Sequence, residues 1–410
     1  MKCLLIGDLR FEHNWGAIGT SSAIYRLLEK YELETIRHKN FIYNSDDMRI
    51  PREVKIPNFK SKLLFTLQRE LGINRQKLKK EVSKTKTENI HHIYDNEIGS
   101  DYVPTSIHNF GIQKKEFSEK FPEEHEKIQR ADLVVVNGEG TIVNDLPGYP
   151  FYRRSGRYTM FMSYIARNLY KKPTFLVNFT YHPENSVVDS MAKQVFPTLD
   201  AVSVREPLSL EALSKISVEA NFVPDTLFSW ALSNEVPNKI RNHAIFGDTS
   251  AVKYTGSVFF EKLGKVIEQL SHDYHIIFAD GNTPFADDIF SLVKRLDIGW
   301  ITPRNTSVPD LFEKFRESRF YFSGRWHNSI LAACAGCPIV TIGSDSFKTK
   351  ALQNLFGNKI PYVEYSEFLE RPTDLDLKAI ETVLDSDIGN AIFDSSRGYA
   401  KEVKKFYREI

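Results

Sequence analysis

Residues 317–350 read ESRFYFSGRWHNSILAACAGCPIVTIGSDSFKTK, and the alternation inside this stretch decides the fold. Arg319–Phe322 is a short apolar run that stops at Ser323 and Gly324, where Arg325, Trp326 and His327 open a run of small and apolar residues. The pattern predicts a buried strand, a turn and a helix over Asn328–Ala335 that ends at Gly336. Pro338 then opens a second apolar run, Ile339–Ile342, which stops at Gly343. Ser344, Asp345 and Ser346 are candidate caps for a further helix that carries Lys348 and Lys350. Strand, helix, strand is the grammar of a parallel α/β sheet, whose ligands gather at the carboxyl ends of the strands. A helix N-terminus offers unpaired N–H groups and partial positive charge, so Arg325 and His327 predict an anion site with a proton donor beside it. The competing reading pairs Arg325 with a carboxylate and leaves His327 to cap its own helix; the position at a sheet's carboxyl edge weighs against it.

The alternation extends to both ends of the chain. Lys2–Ile6 is a continuous apolar strand, and the loop after it carries Asp8, Arg10, Glu12, His13, Asn14 and Gly16 before a helix running to about Lys30. No G-x-G-x-x-G follows, so a dinucleotide has little support. Leu133–Val136 is a second strand, followed by Asn137, Gly138, Glu139, Gly140 and Thr141, where the glycines admit a ligand close to backbone N–H groups. Tyr149–Tyr158 concentrates aromatics with Arg153, Arg154 and Arg157, a combination suited to carbohydrate or phosphate contact and, equally, to a basic helix start. Thr174–Asn178 and Ala201–Val204 are further strands, the latter handing Arg205 and Glu206 to a helix opened by Pro207. Arg205 has the local setting of Arg325, and two guanidinium groups from separate domains suit one dianion held between them.

In the second half, strands are expected at Ala244–Phe246, His275–Ala279, Arg319–Phe322 and Ile339–Ile342, with Asp248, Asp280 and Asn282 at strand ends facing a cleft. The chain therefore divides into an N-terminal domain over 1–228 with an insertion at about 44–130 and a C-terminal domain over 242–370. Ser229–Arg241 reads as the linker, and helices over 371–410 are expected to cross back to the first domain.

Bulk properties narrow the partners. The chain has 410 residues, enough for two full cores, and its net charge of +1 argues against nucleic acid. Charge is uneven: residues 51–90 hold eleven Lys or Arg against four Glu, with Leu64, Leu67, Leu71, Leu78 and Val82 at helical spacing. Such a segment suits either a solvated helix face or peripheral contact with an anionic inner membrane surface. Met1–Gly7 is too short for a signal peptide and no run is long enough to span a membrane, so a cytoplasmic protein is expected. Cys3, Cys334 and Cys337 read as buried free thiols, and the scattered His91, His92, His108 and His125 match no metal motif. No cofactor and no metal are expected.

Four segments, in order, resemble the polysaccharide pyruvyl transferase family: NWGAIG at Asn14–Gly19; DLVVVNGEGTIVND at Asp132–Asp145; SVRE at Ser203–Glu206 with Asp225 in VPDTLF; and GRWHNSILAACAGCPIVTIG with its Arg-x-His. The resemblance spans Met1 to about Leu352. It implies two Rossmann-like domains in a GT-B-like arrangement, and transfer of pyruvate from phosphoenolpyruvate to a saccharide as a ketal. The acceptor would be a precursor of a cell-surface glycan, with a lipid carrier left open. By the same resemblance Arg205, Arg325 and His327 hold the donor, with Gly343, Ser344 and Lys348 beside them, and His327 is the candidate general acid. Glu139, Asp225 or Asp8 would take the acceptor proton; Asp8, Asn14, Gly16, Gly138, Gly140, Arg153 and Arg154 would line the acceptor side. The family pattern has Gly-Asp where this chain has Gly16-Ala17, which leaves Asp8 or Glu12 to supply any carboxylate needed there. Two alternatives remain open. One is a GT-B glycosyltransferase using a nucleotide-sugar, although the helix after His327 lacks a carboxylate for ribose hydroxyls; the other is a non-catalytic carbohydrate-binding relative, which Ala17 favours.

Overall fold

The computed structural model describes residues 1–10, 14–39, 114–142, 154–182, 186–233, 243–281, 285–371, 373–384 and 387–410. The basic segment 51–90, Glu12 and Arg153 lie outside the described residues.

Two parallel six-stranded sheets form the molecule. The first has the order β2-β1-β3-β4-β5-β6, built from β1 (Lys2–Asp8), β2 (Glu34–Lys39), β3 (Leu133–Glu139), β4 (Thr174–Phe179), β5 (Ala201–Val204) and β6 (Asn221–Phe222). β1 and β3 read as unbroken apolar runs because helices cover both of their faces. Leu4, Ile6, Val134 and Val136 point into one core, with Phe161 and Met191 from the covering helices. Their neighbours Cys3, Leu5, Leu133 and Val135 point into the other, with Ile24, Leu28, Val403 and Tyr407. This is the period of two that a strand imposes. Within the segment read as an insertion, residues 114–130 form two helices whose Phe117, Phe121 and Ile128 belong to the first of these cores.

The second sheet has the order β12-β11-β10-β7-β8-β9: β7 (His243–Thr249), β8 (His275–Ala279), β9 (Gly299–Ile301), β10 (Ser318–Gly324), β11 (Ile339–Ile342) and β12 (Tyr362–Val363). The strand order reverses between β7 and β10, and in such sheets the crevice beyond the strand ends at that reversal is where ligands sit. In the first sheet the reversal lies between β1 and β3. The expected α/β class and the paired Rossmann-like sheets are thus present.

Two elements join the halves. Residues 229–233, read as linker, belong to a 3-10 helix, Thr226–Ser233, whose Leu227, Phe228 and Ala231 are buried under the second sheet. The last helix, Ile388–Glu409, places Ile392 and Ala400 in that same core and Val403 and Tyr407 against β1. Cys3, Cys334 and Cys337 are buried and form no disulfide among the described residues. Among the described residues no helix is long and apolar enough to cross a membrane.

Candidate active site between the two sheets

The first sheet brings several charged side chains to its carboxyl edge. β3 ends at Glu139, whose φ of +48° lies in the left-handed region and turns its side chain out of the strand's alternation. β5 ends at Val204 and delivers Arg205 and Glu206. Glu206 then caps the helix Pro207–Ser214, accepting from the Ser209 backbone N–H at 2.8 Å, so its role is structural. Burial pushes its carboxyl up to about 7, against the opposing hydrogen bonds from Ser209. With the cap filled by its neighbour, Arg205 turns inward. Asp225 follows β6, and its Oδ1 accepts from the Leu227 N–H at 3.0 Å.

His327 arrives from the second sheet. The helix Trp326–Cys334 starts directly after β10 with Arg325 as its N-cap, and its first turn projects Trp326 and His327 toward the first domain. Arg205 Nη1 lies 3.2 Å from Glu139 Oε2, 3.1 Å from Asp225 Oδ2 and 2.8 Å from His327 Nε2. The imidazole nitrogen is itself 3.2 Å from Glu139 Oε2 and 3.5 Å from Asp225 Oδ2. Trp326 Nε1 donates to Asp225 Oδ2 at 2.9 Å, and the Arg205 guanidinium lies 5.5 Å from the Trp326 ring centre. Arg205 Nε donates to Thr180 Oγ1 at 3.0 Å.

The electrostatics follow from this crowding. Burial alone would raise the Asp225 carboxyl, but hydrogen bonds from His327 and Trp326 and the charge of Arg205 hold it well below the usual carboxylate range. Burial alone would lower His327, yet the Glu139 charge and hydrogen bonds to Asp225 and Glu139 raise it above its ordinary value. The contacts suit either protonation state of the ring: neutral, Nε2 accepts from Arg205; protonated, Nε2–H donates to Glu139. Glu139 Oε1 is buried and has no hydrogen-bond partner among the described residues.

Two glycines allow the close approach of these side chains. A Cβ on Gly16, in the first turn of the helix Trp15–Lys30, would overlap the His327 ring, so only glycine lets this helix meet the imidazole. A Cβ on Gly140 would stand 3.6 Å from Arg205 Nη2 and 3.9 Å from Lys348 Nζ. Arg205, His327 and Lys348 therefore converge beside Glu139 and Gly140 from both domains.

The other expected site residues are placed differently. Arg325, expected to grip an anion, holds Asp248 with both arms of its fork: Nε bonds Oδ1, and Nη2 donates to Oδ2 at 2.6 Å. The carboxylate-paired reading is the one the geometry supports for this arginine. Asp8 is held the same way by Arg10, at 2.8 Å to Nε and 2.5 Å to Nη2. Asn14 caps the helix Trp15–Lys30, accepting from the Gly16 and Ala17 N–H groups at 2.9 and 3.2 Å. Gly138 lies under Phe179, and a Cβ on Gly343 would meet the Tyr365 backbone nitrogen, so both serve packing. Arg154 opens the helix Arg154–Tyr164. The helix Lys348–Leu355 is entered through Phe347 without a side-chain cap, contrary to the expected capping by Ser344, Asp345 or Ser346. Asp345 faces cations instead, 3.0 Å from Lys253 and 3.5 Å from Lys348, and these outbid a backbone N–H. Ser344 Oγ donates to the Ser346 carbonyl at 2.9 Å. Sequence reading gave no role to Trp326 or Lys253: Trp326 meets Asp225 only once the two sheets are set face to face, and Lys253 meets Asp345 only through the folding of the second domain.

Among the described residues no group of three or more His, Cys, Asp or Glu is arranged to hold a metal ion. The family model for polysaccharide pyruvyl transferase matches residues 30–346, more than half of the chain. No curated protein matches the sequence. Among solved structures, the spinosyn rhamnosyltransferase SpnG with spinosyn aglycone superposes with a TM-score of 0.50 at 12% identity, covering 99% of this chain and 96% of that one. The S. aureus MnaA-UDP co-structure gives 0.51 at 11% identity, with 100% and 97% covered. The Methanocaldococcus jannaschii UDP-GlcNAc 2-epimerase with UDP-GlcNAc and UDP gives 0.50 at 13%, with 94% and 93% covered. At these identities the likeness is one of fold: two Rossmann-like domains in a GT-B-like arrangement.

Proposed function

The chain belongs to the polysaccharide pyruvyl transferase family, and from that premise we propose that it transfers the pyruvyl group of phosphoenolpyruvate to two hydroxyls of a saccharide, forming a ketal and inorganic phosphate. The observation that carries this reading is the convergence of Arg205 and Lys348 on Gly140, with His327 and the Glu139 carboxylate paired beside them. Phosphoenolpyruvate carries a carboxylate and a phosphate on one small carbon frame, and such a charge needs several cations in a water-poor site.

The chemistry maps onto named atoms. Protonated His327 gives its Nε2 proton to the methylene carbon, which becomes a methyl group and leaves the adjacent carbon electron-poor. A sugar hydroxyl oxygen attacks that carbon and loses its proton to a carboxylate. Phosphate departs with the electron pair of its C–O bond, and the second hydroxyl completes the ketal. Of the two hydroxyl protons, one ends on the methyl carbon and one on phosphate, so the enzyme returns to its starting state. Three carboxylates were candidates for the base. Asp225 is tied by Arg205, Trp326, His327 and the Leu227 N–H, and Asp8 by Arg10. The unpartnered Oε1 favours Glu139.

Calorimetric titration tests the donor. Saturable binding of phosphoenolpyruvate that weakens about tenfold or more in Lys348→Ala, near 1.4 kcal/mol, is the expected result. Binding of UDP without any response to phosphoenolpyruvate would move the enzyme to nucleotide-sugar chemistry.

A further inference from the structure

The fork of Arg325 closes on Asp248 inside the second domain, and Ser323 and Gly281 hold the pair in place. Asp248 is fully buried at the end of β7, the strand beside β10 at the reversal of strand order. The backbone of Gly281 lies against the guanidinium, where a Cβ would come within 2.8 Å of Arg325 Nε. Ser323 Oγ donates to the Asp248 carbonyl at 2.7 Å and accepts from the Arg325 N–H at 3.1 Å, which ties the pair to the strand end. Asp248, with Asp280 nearby, raises Arg325 above its ordinary value although burial opposes it. With Nε and Nη2 both engaged, its place in the chain is decisive: Arg325 is the N-cap of the helix whose next two residues are Trp326 and His327.

We propose that Asp248 is a positioning residue, which fixes the entry of the helix Trp326–Cys334 through Arg325 so that His327 reaches Glu139, Arg205 and Asp225 across the domain boundary. The inference rests on the proposed role of His327, and it reassigns Arg325 from donor contact to brace. The geometry makes the coupling short. Two bonds from Asp248 hold the guanidinium, one peptide bond joins Arg325 to Trp326, and a second leads to His327. The charged groups facing His327 all come from outside its helix: Glu139 from β3, Arg205 from the end of β5 and Asp225 from the turn after β6. Lys348, from the next helix, approaches the same space at Gly140. A helix entry released by about an ångström would part the ring from the two carboxylates while leaving them in place. A displacement of that size commonly costs about 100-fold in rate.

The test reads His327 directly and needs no substrate. The imidazole resonance, assigned by its loss in His327→Ala, is titrated by NMR in the wild type, Asp248→Asn and Arg325→Lys. Asn keeps the shape of Asp, and Lys keeps the charge of Arg without its fork. The proposal expects the His327 midpoint to fall in both variants, by about half a pH unit or more toward the ordinary value near 6.5. It also expects phosphoenolpyruvate affinity to fall no further in Arg325→Lys than in Asp248→Asn, since both act through the same displacement of His327 and the fork itself does not hold the donor. An unchanged midpoint overturns the proposal. So does a tenfold loss of phosphoenolpyruvate affinity in Arg325→Lys with the midpoint unmoved, which would make Arg325 a donor ligand after all. Should the wild type fail to bind phosphoenolpyruvate, the donor reading falls, while the midpoints still decide the role of Asp248.

Discussion

Arg205 and Arg325 stand at equivalent points of the two sheets, each just beyond the end of a buried parallel strand and just before a helix, and they do different work. The difference is one residue. In the first sheet Glu206 caps the helix, so the arginine before it is free to turn inward toward Glu139, Asp225 and His327. In the second sheet Arg325 itself occupies the cap position, and its fork is met by Asp248 from the neighbouring strand. One arginine links two domains; the other closes a circuit within its own. A strand-Arg-helix pattern therefore tells where a cation will stand, and the strand order tells which anion it will face.

The strongest way to break the comparison is to remove Arg205. It is 1% exposed and shares its Nη1 between two carboxylates that are equally buried. Arg205→Met would leave Glu139 and Asp225 side by side with only His327 and Trp326 to face them, at a cost of about 3–5 kcal/mol. Denaturant unfolding should show it, and the added change Glu139→Gln should recover part of the loss by removing one of the stranded charges. Equal stability of Arg205→Met and wild type would mean that the network is not the interdomain tie described here.

How far the sequence alone discloses this arrangement has a physical answer. The eight strands legible in it, from Lys2–Ile6 to Ile339–Ile342, are the inner strands of the two sheets. The four it hides, β2, β6, β9 and β12, are the four edges. An inner parallel strand is covered on both faces and must be apolar throughout, whereas an edge such as ETIRHK in β2 needs no such run and one of two residues, such as β6, shows no period. The site divides along the same line. Arg205, Glu139, Asp225 and His327 are each announced by a strand or helix end, and the structure brings all four together. The Asp248–Arg325 pair depends on β7 lying next to β10, 77 residues apart in sequence, and local pattern carries no trace of that.

Trp326 sharpens the contrast at smaller cost. Its indole N–H is one of three donors around Asp225 Oδ2, so Trp326→Phe removes a bond to a charged acceptor while Arg205 and His327 remain. The expected loss is about 1.5 kcal/mol, measured by unfolding in urea, with the ring still available to face the Arg205 guanidinium. A loss as large as that of Arg205→Met would place the tie in the indole instead of in the ion network.

The finest test separates the two halves of the network by pH. His327 is raised above its unfolded value by Glu139 and Asp225 despite its burial, so its contribution to stability is complete below about 6.5 and disappears as pH rises through the folded value. Asp225 is shifted the other way: its contribution is complete above about 3.9 and disappears only as pH falls through its depressed folded value. Glu206, pushed up to about 7, also makes stability fall with rising pH, but it does so equally in any variant that leaves its helix cap intact. The difference in unfolding free energy between wild type and His327→Gln therefore isolates the imidazole. That difference should be largest near pH 6 and shrink toward pH 9, because only the protonated ring gains from facing two carboxylates across the boundary. A constant difference over that range would mean that the ring is held neutral by Arg205, and the proton for the methylene carbon would then have to come from another group.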